Sequence, residues 1–278
     1  SGKVLQFENK FREYLGSDEC IAVNSGTAAL NLSLSLLNIK NKEVILPSLS
    51  FVSTAHAVTL NGGIPIFVDI DPKTCCIDPN QIRKSISKKT AVILPVHFAG
   101  MACNMDEILD VCKENNIHLI EDAAHASGAK HNHKKIGRHG MAICFSFHPV
   151  KNIAMLTGGL ISINHKQHKK LKKLLNERRW CGITNRLGLT YDVKEIGWNY
   201  YMNELSAALG LIQLKKLDRL NRIRNNIAKR YNNEIELDEK MPYEKDCSYH
   251  FYWIMVKNRD KLMQKLKQNG IETGIHYR

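Results

Sequence analysis

Lys151 stands in "CFSFHPVKNIAMLTGGLISIN", between the apolar runs Met141 to Phe147 and Leu160 to Ile163, with Pro149 and Gly158-Gly159 as punctuation. Both runs have strand length, so the lysine is expected at a strand end, close to a core. An amine partly removed from water loses its proton more readily and becomes a nucleophile that condenses with carbonyls to a Schiff base. Taken alone, a loop lysine reaching into water is the plainer reading.

Two further stretches bear on the choice. In "VNSGTAALNLSL" (Val23 to Leu34) an apolar strand runs into Ser-Gly-Thr and then a helix. Glycine permits the tight turn, and the helix N-terminus offers free N–H groups to an anion, most naturally a phosphate. An ordinary capped helix start fits the same residues. In "IHLIEDAAHASGA" (Ile117 to Ala129) a strand ends in Glu121-Asp122. A carboxylate at the carboxyl end of a parallel strand lies where open α/β sheets bind ligands, and facing a pyridinium it would keep that nitrogen protonated. Asp122 could equally cap the next helix, and His125 could touch the same ligand or be a satisfied core histidine. Phosphate cradle, strand-end aspartate and lysine, in that order, are what pyridoxal 5′-phosphate (PLP) requires: Gly26-Thr27-Ala28 for the phosphate, Asp122 for the ring nitrogen, Lys151 for the aldehyde.

The elements that must position these groups follow from periodicity. From Glu19 to Asn164 strand-length apolar runs alternate with helix-period segments: "CIAVN", a helix from about Thr27, "EVILP", a helix near Val52 to Leu60, "IPIFVDI", a helix near Pro79 to Ser87, "TAVILPV", a helix near Met105 to Asn115, and "IHLIED". Such alternation is the mark of a parallel sheet covered on both faces, a doubly wound α/β domain. Beyond it come a lysine-rich helix, a polar, glycine-bearing loop from Gly182 to Gly197, and a long helical pattern from about Asn203 to Ile235. "SYHFYWIMVK", a helix near Arg259 to Asn269 and a strand beginning at Ile271 suggest a small α+β domain. The expected division is 1–225 for the large cofactor-binding domain and 226–278 for the small one, with a lead-in missing before the first helix and the small domain incomplete.

Composition limits the alternatives. The chain has 278 residues with 44% hydrophobic content, enough for one large core and an appendage. No run reaches the length of a membrane span and the start lacks a signal-peptide pattern, so a cytoplasmic protein with no membrane partner is expected. The eight cysteines include no C-x-x-C pair and read as reduced thiols rather than a disulfide framework or zinc site. His131, His133 and His139 lack carboxylates and cysteines at ligand spacing and read as a polar turn, so no metal is expected. A net charge of +13 invites a polyanion-binding reading, but the lysines are dispersed and no nucleic-acid motif accompanies them. An anionic small substrate suits the charge as well, and Arg178 and Arg186 are candidates for a diphosphate, with a solvated helix face as the alternative.

The stretches "NSGTAALNLSL", "ILPSLSFVSTAHAV", "GGIPIFVDIDPKT", "AVILPVHFAG", "IEDAAHASGA", "FSFHPVKNI" and "IGWNYYMNELSAALGLIQLKKLD" together resemble the DegT/DnrJ/EryC1/StrS sugar aminotransferases, in that family's order and spacing. The resemblance implies the aspartate aminotransferase fold, a three-layer αβα large domain with a mostly parallel sheet and a truncated small α+β C-terminal domain. It also implies PLP as cofactor. On it, Lys151 matches the Schiff-base lysine, Asp122 the partner of the pyridine nitrogen, and Phe51 the aromatic stacked on the ring. His125 matches a Gln or His beside the ring hydroxyl, and Gly26, Thr27, Ala28 and Ser146 match the phosphate site. Asn199 matches an asparagine lent across a homodimer interface to the neighbouring cofactor's phosphate. The implied reaction is ping-pong transfer from glutamate, leaving 2-oxoglutarate, to a nucleotide-linked keto sugar, most like a 4-keto-6-deoxy sugar, in making amino sugars for surface polysaccharide. Thr157 replaces the family's usual acid before the glycine pair, and Tyr201 replaces the arginine of its "GyNyRm" pattern. Lys151 argues against the branch of relatives in which histidine replaces the lysine. A non-catalytic, regulatory PLP-binding role is the nearest alternative.

Overall fold

Strands that are apolar on both faces must be covered on both faces, and β1 (Glu19–Val23) illustrates the consequence: Cys20 and Ala22 enter one core, Ile21 and Val23 another. A computed structural model describes residues 2–277 of the chain. α1 (Lys3–Leu15) precedes β1, and α2 (Gly26–Ser35), β2 (Glu43–Pro47), α3 (Val52–Leu60), β3 (Ile64–Val68) and α4 (Pro79–Ser85) follow. Next come β4 (Thr90–Ile93), α5 (Met105–Asn115), β5 (His118–Asp122), the short β6 (Lys130–His131) and β7 (Lys134–Lys135), then β8 (Ala142–Ser146) and β9 (Gly159–Ile163). The chain continues through α6 (His168–Arg178), β10 (Ile183–Leu187), β11 (Thr190–Val193), α7 (Glu204–Glu234) and α8 (Arg259–Gln268).

The main sheet has seven strands in the order β1-β9-β8-β5-β4-β2-β3. Its pairings are parallel except around β9, which runs antiparallel to both β1 and β8. α1, α4, α5 and α7 pack one face through residues such as Phe11, Ile82, Ile108 and Leu217, while α2, α3 and α6 pack the other through Leu32, Val58 and Leu175. This is the expected three-layer α/β architecture. Because all strands but β9 point one way, the turns after β1, β2, β4, β5 and β8 open on one edge of the sheet, where ligands of such sheets bind.

Two sequence expectations are corrected. Residues 182–197, expected as a loop, contain the β10–β11 hairpin, turned at Gly188 with φ +62° and assisted by Asn185 in the left-handed region. Among the described residues, 271–277 do not form the strand expected from Ile271. Apolar content suggests a strand, but a strand needs a partner ladder; "SYHFYWIMVK" instead lies against the main domain, with the His250 N–H donating to the Ala99 carbonyl (2.8 Å) and the Ser248 N–H to Gly100 (3.2 Å). α7, of 31 residues, runs uninterrupted through residue 225.

The glycine pair has a packing reason. Ser25 bridges Gly158, and a Cβ on Gly159 would overlap the Ser25 carbonyl. Gly159→Ala is therefore expected to lower stability by about 1–3 kcal/mol through overpacking, measured by denaturant unfolding.

Candidate active site

Between the carboxyl ends of the strands lies a cavity of about 350 Å³ whose walls include Gly26, Thr27, Phe51, Asp122, His125, Ser146 and Lys151. These residues come from four separate segments, and the sheet edge alone brings them together.

Lys151 sits in the turn between β8 and β9, its N–H donating to the His148 carbonyl at 2.8 Å. Burial pulls its pKa down to about 8, opposed by the charge of Asp122. The amine is thus available as a nucleophile near neutral pH, as the strand-end reading required. Asp122 ends β5, buried, with Oδ1 accepting the Ala124 N–H (3.1 Å) and Oδ2 accepting the Thr54 hydroxyl (2.8 Å). Burial raises its pKa above the usual carboxylate range, and those two donors together with Lys151 and His97 counter the rise. Its neighbour Glu121 faces away from the cavity, as strand alternation demands. There it accepts from His97 Nε2 at 2.9 Å and from the Gly140 N–H at 2.5 Å. His97 Nδ1 accepts the Cys103 N–H at 3.1 Å, so its hydrogen lies on Nε2 and points at Glu121.

The cavity wall opposite Asp122 is the start of α2. Ser25 caps the helix by accepting the Ala28 N–H at 3.1 Å, and Gly26 passes so close to β8 that an added Cβ would lie 2.8 Å from Ser146 Cβ. Thr27 and Ser146 present hydroxyls beside this N-terminus. Ala28 is the exception among the expected phosphate residues: it is buried in the core, its N–H is taken by Ser25, and it does not line the cavity. Phe51, 55% exposed, stands at the mouth with its ring 5.8 Å from that of Tyr277.

His125 is buried, with Nδ1 accepting the Ala99 N–H at 3.3 Å and Nε2 3.3 Å from the Tyr277 hydroxyl. The backbone donor puts the ring hydrogen on Nε2, and burial followed by the charge of Lys151 holds its pKa well below the ordinary value. His250, His276 and Tyr277 also line the cavity, as do Thr157 and His148. The sequence reading missed the first three because they lie more than 95 residues after Lys151; "SYHFYW" and "GIHYR" signalled only aromatic content. Thr54, the third residue of α3, was missed because nothing in its own helix marks its hydrogen bond to Asp122 on a distant strand.

Asn199 lies outside the cavity, exposed, with its carbonyl accepting from Asn24 Nδ2 at 3.2 Å just before the α2 cradle. Thr157 donates to the Asn24 carbonyl at 2.5 Å, and Tyr201 packs edge-on against Trp180 at 4.4 Å. Arg178 is mostly buried, pairing with Glu195 at 2.8 Å and donating to Ser35. Arg179 likewise bonds Glu8 and the Ala22 carbonyl, each at 2.6 Å. Arg186 is exposed on the hairpin. His131 belongs to the β6–β7 hairpin and pairs with Asp106 at 3.1 Å.

The arrangement fits PLP. It offers a half-buried amine, a buried carboxylate with both oxygens already oriented, and a glycine-lined helix N-terminus too tight for a side chain at residue 26. The family model of the DegT/DnrJ/EryC1/StrS aminotransferases matches residues 2–278. The chain belongs to this family. Family members are PLP-dependent sugar aminotransferases, and the solved structures agree. A putative sugar aminotransferase, Spr1654 from Streptococcus pneumoniae in its pyridoxamine-phosphate (PMP) form, superposes with a TM-score of 0.93 at 27% identity, covering 100% of this chain and 77% of that one. Helicobacter pylori PseC, an aminotransferase of pseudoaminic acid biosynthesis, gives a TM-score of 0.92 at 29% identity, covering 100% of this chain and 77% of its own. The Bacillus subtilis spore coat polysaccharide biosynthesis protein SpsC is 34% identical over 293 residues, covering 99% of this chain and 75% of the relative.

The lowered pKa of Lys151 has a kinetic consequence. Its charged form is favoured below about 8, so in cofactor-free protein its modification by an amine-selective reagent should rise about tenfold per pH unit up to about 8 and level off above. Solvated lysines should keep rising to about 10, as peptide mass spectrometry at each pH would reveal.

Proposed function

We propose that this chain transfers an amino group from glutamate to a keto sugar carried on a nucleotide diphosphate, most closely a 4-keto-6-deoxy sugar, as a cytoplasmic homodimer serving amino-sugar and polysaccharide synthesis. The observation that carries the reading is the placement of the Lys151 amine, with its pKa near 8, in one cavity with Asp122 and the α2 N-terminus. The polysaccharide role named for SpsC and the amino-sugar role named for PseC support the substrate class.

When bound, PLP supplies an electron sink that lets a C–H bond beside an amine be broken. Lys151 is the residue to hold it and, once released as a free amine, to carry a proton between cofactor and substrate carbons as base and then acid. Asp122, oriented by Thr54 and the Ala124 N–H, keeps a proton on the ring nitrogen. Gly26, Thr27 and Ser146 would hold the phosphate, Phe51 would flank the ring, and the Nε2 hydrogen of His125 would be available to the ring hydroxyl. Donor and acceptor use the same cavity in turn, which makes the kinetics ping-pong.

The second subunit is supported by the hairpin and the segment after it. Leu189 is 96% and Ile196 87% exposed, with Leu187, Tyr191 and Val193 also uncovered. A second copy seated there would lend Asn199 to the neighbouring phosphate.

Purified chain mixed with PLP should show the visible absorption of lysine-linked cofactor, and glutamate should convert it to that of the amine form. Lys151→Ala should abolish that band, and an unchanged spectrum in this variant would sink the assignment. Asp122→Asn should slow the glutamate-driven conversion by about 10²–10³ with the band retained. For the shared site, Lys151→Ala and Asn199→Ala chains, each inactive alone, should recover about a quarter of wild-type activity on mixing, because each hybrid dimer holds one intact site. No recovery after subunit exchange would count against the dimer.

A further inference from the structure

We infer that His250 is a positioning residue for Lys151: its Nε2 accepts a hydrogen from the lysine ammonium and aims the amine into the cavity whenever no cofactor bond holds it. This rests on the proposed role of Lys151. The two nitrogens are 3.4 Å apart, at the long end of hydrogen-bond range. An ammonium donates and cannot accept, so the contact requires a lone pair on Nε2 and places the ring hydrogen on Nδ1. Nδ1 is buried without a partner among the described residues, an unfavourable arrangement that calls for a compensating reason on the other side of the ring.

The ring is firmly held. Asn152, the residue after Lys151, donates to the Ser248 carbonyl at 2.8 Å and to Asn221 Oδ1 of α7 at 2.9 Å. The Ser248 hydroxyl donates to the His125 carbonyl at 3.0 Å, and the His250 N–H to Ala99 at 2.8 Å. Gly100, with φ +92°, lets this segment close in, since a Cβ there would collide with the Ser248 side chain. The His125 ring covers His250 at a centroid separation of 4.6 Å. The lysine turn and the histidine segment are thus tied by Asn152 on one side and pressed together by His125 on the other.

The charges around the pair leave His250 neutral. It is faced by Lys151, by Arg224 from α7 and by His276, and burial first, then these charges, pull its pKa to about 3. Lys151 is faced by Asp122 from the end of β5 as well as by His125 and His276, both held below the usual imidazole range. A neutral acceptor beside an ammonium favours the charged amine; a protonated one would disfavour it. The two cases differ in sign.

The test is Lys151 modification by an amine-selective reagent between about pH 6 and 10 in the full cofactor-free chain, for wild type, His250→Phe and His250→Gln. Loss of the acceptor in H250F should lower the Lys151 midpoint by about one unit, while H250Q, which offers a carboxamide oxygen, should stay within about half a unit of wild type. Equal midpoints in all three, or a rise in H250F, would overturn the inference. A measurement on wild type alone is independent of how the variants fold: ¹⁵N shifts of the His250 ring below the Lys151 midpoint should place the hydrogen on Nδ1, and a hydrogen on Nε2 would overturn it too. The cofactor band in wild type and its loss in K151A test the lysine itself. If no band forms the underlying reading fails, whereas a normal band with unmoved midpoints removes His250 alone.

Discussion

The Lys151 amine is withdrawn from water far enough that burial pulls its pKa to about 8, and most of the surrounding structure is what makes that placement tolerable and useful. A desolvated cation needs either a partner or a means of shedding its proton. Asp122, at the end of β5, supplies an opposing charge nearby, and the low pKa supplies the second. Asp122 is itself buried, so it depends in turn on the Thr54 hydroxyl and the Ala124 N–H, which stabilise its charged form. Each group is affordable only in the presence of the others.

That mutual dependence places demands on backbone far from the amine. The β8–β9 turn can hold Lys151 against the sheet edge because Gly158 and Gly159 let β9 pass the Ser25 carbonyl. Glu121 and His97 tie the ends of β5 and β4 together behind the cavity, which fixes Asp122 in front of it. Gly100 admits the 248–250 segment, bringing His250 to the lysine. Arg178 and Arg179 serve the same end by another route, joining the end of α6 to α1, β1 and the segment after the hairpin through carboxylates and carbonyls.

Several features were legible in the sequence because they are written locally. The alternation of apolar strands and amphipathic helices specified the layered sheet, and Lys151, Asp122, Gly26 and Thr27 stood at strand ends or helix starts that short-range patterns mark well. Ala28 belongs to the same helix start, but at the third helical position its methyl turns into the core. The hairpin at 183–193 escaped notice because its strands carry polar and exposed residues, leaving no buried face to produce a clean alternation.

By itself the sequence determined which elements form and which residues at their ends carry reactive groups, since both depend on neighbours within a few positions. Only the tertiary structure decided what those groups face. Strand order places β8 beside β5, setting Asp122 near Lys151 although the two lie on different strands. Packing of residues 248–277 onto the sheet edge adds His250, His276 and Tyr277 to a cavity whose other walls lie far earlier in the chain, at Gly158 or before. Desolvation is a property of that assembled cavity and of no stretch of chain, so the lowered pKa of Lys151 exists only once the fold has closed around it.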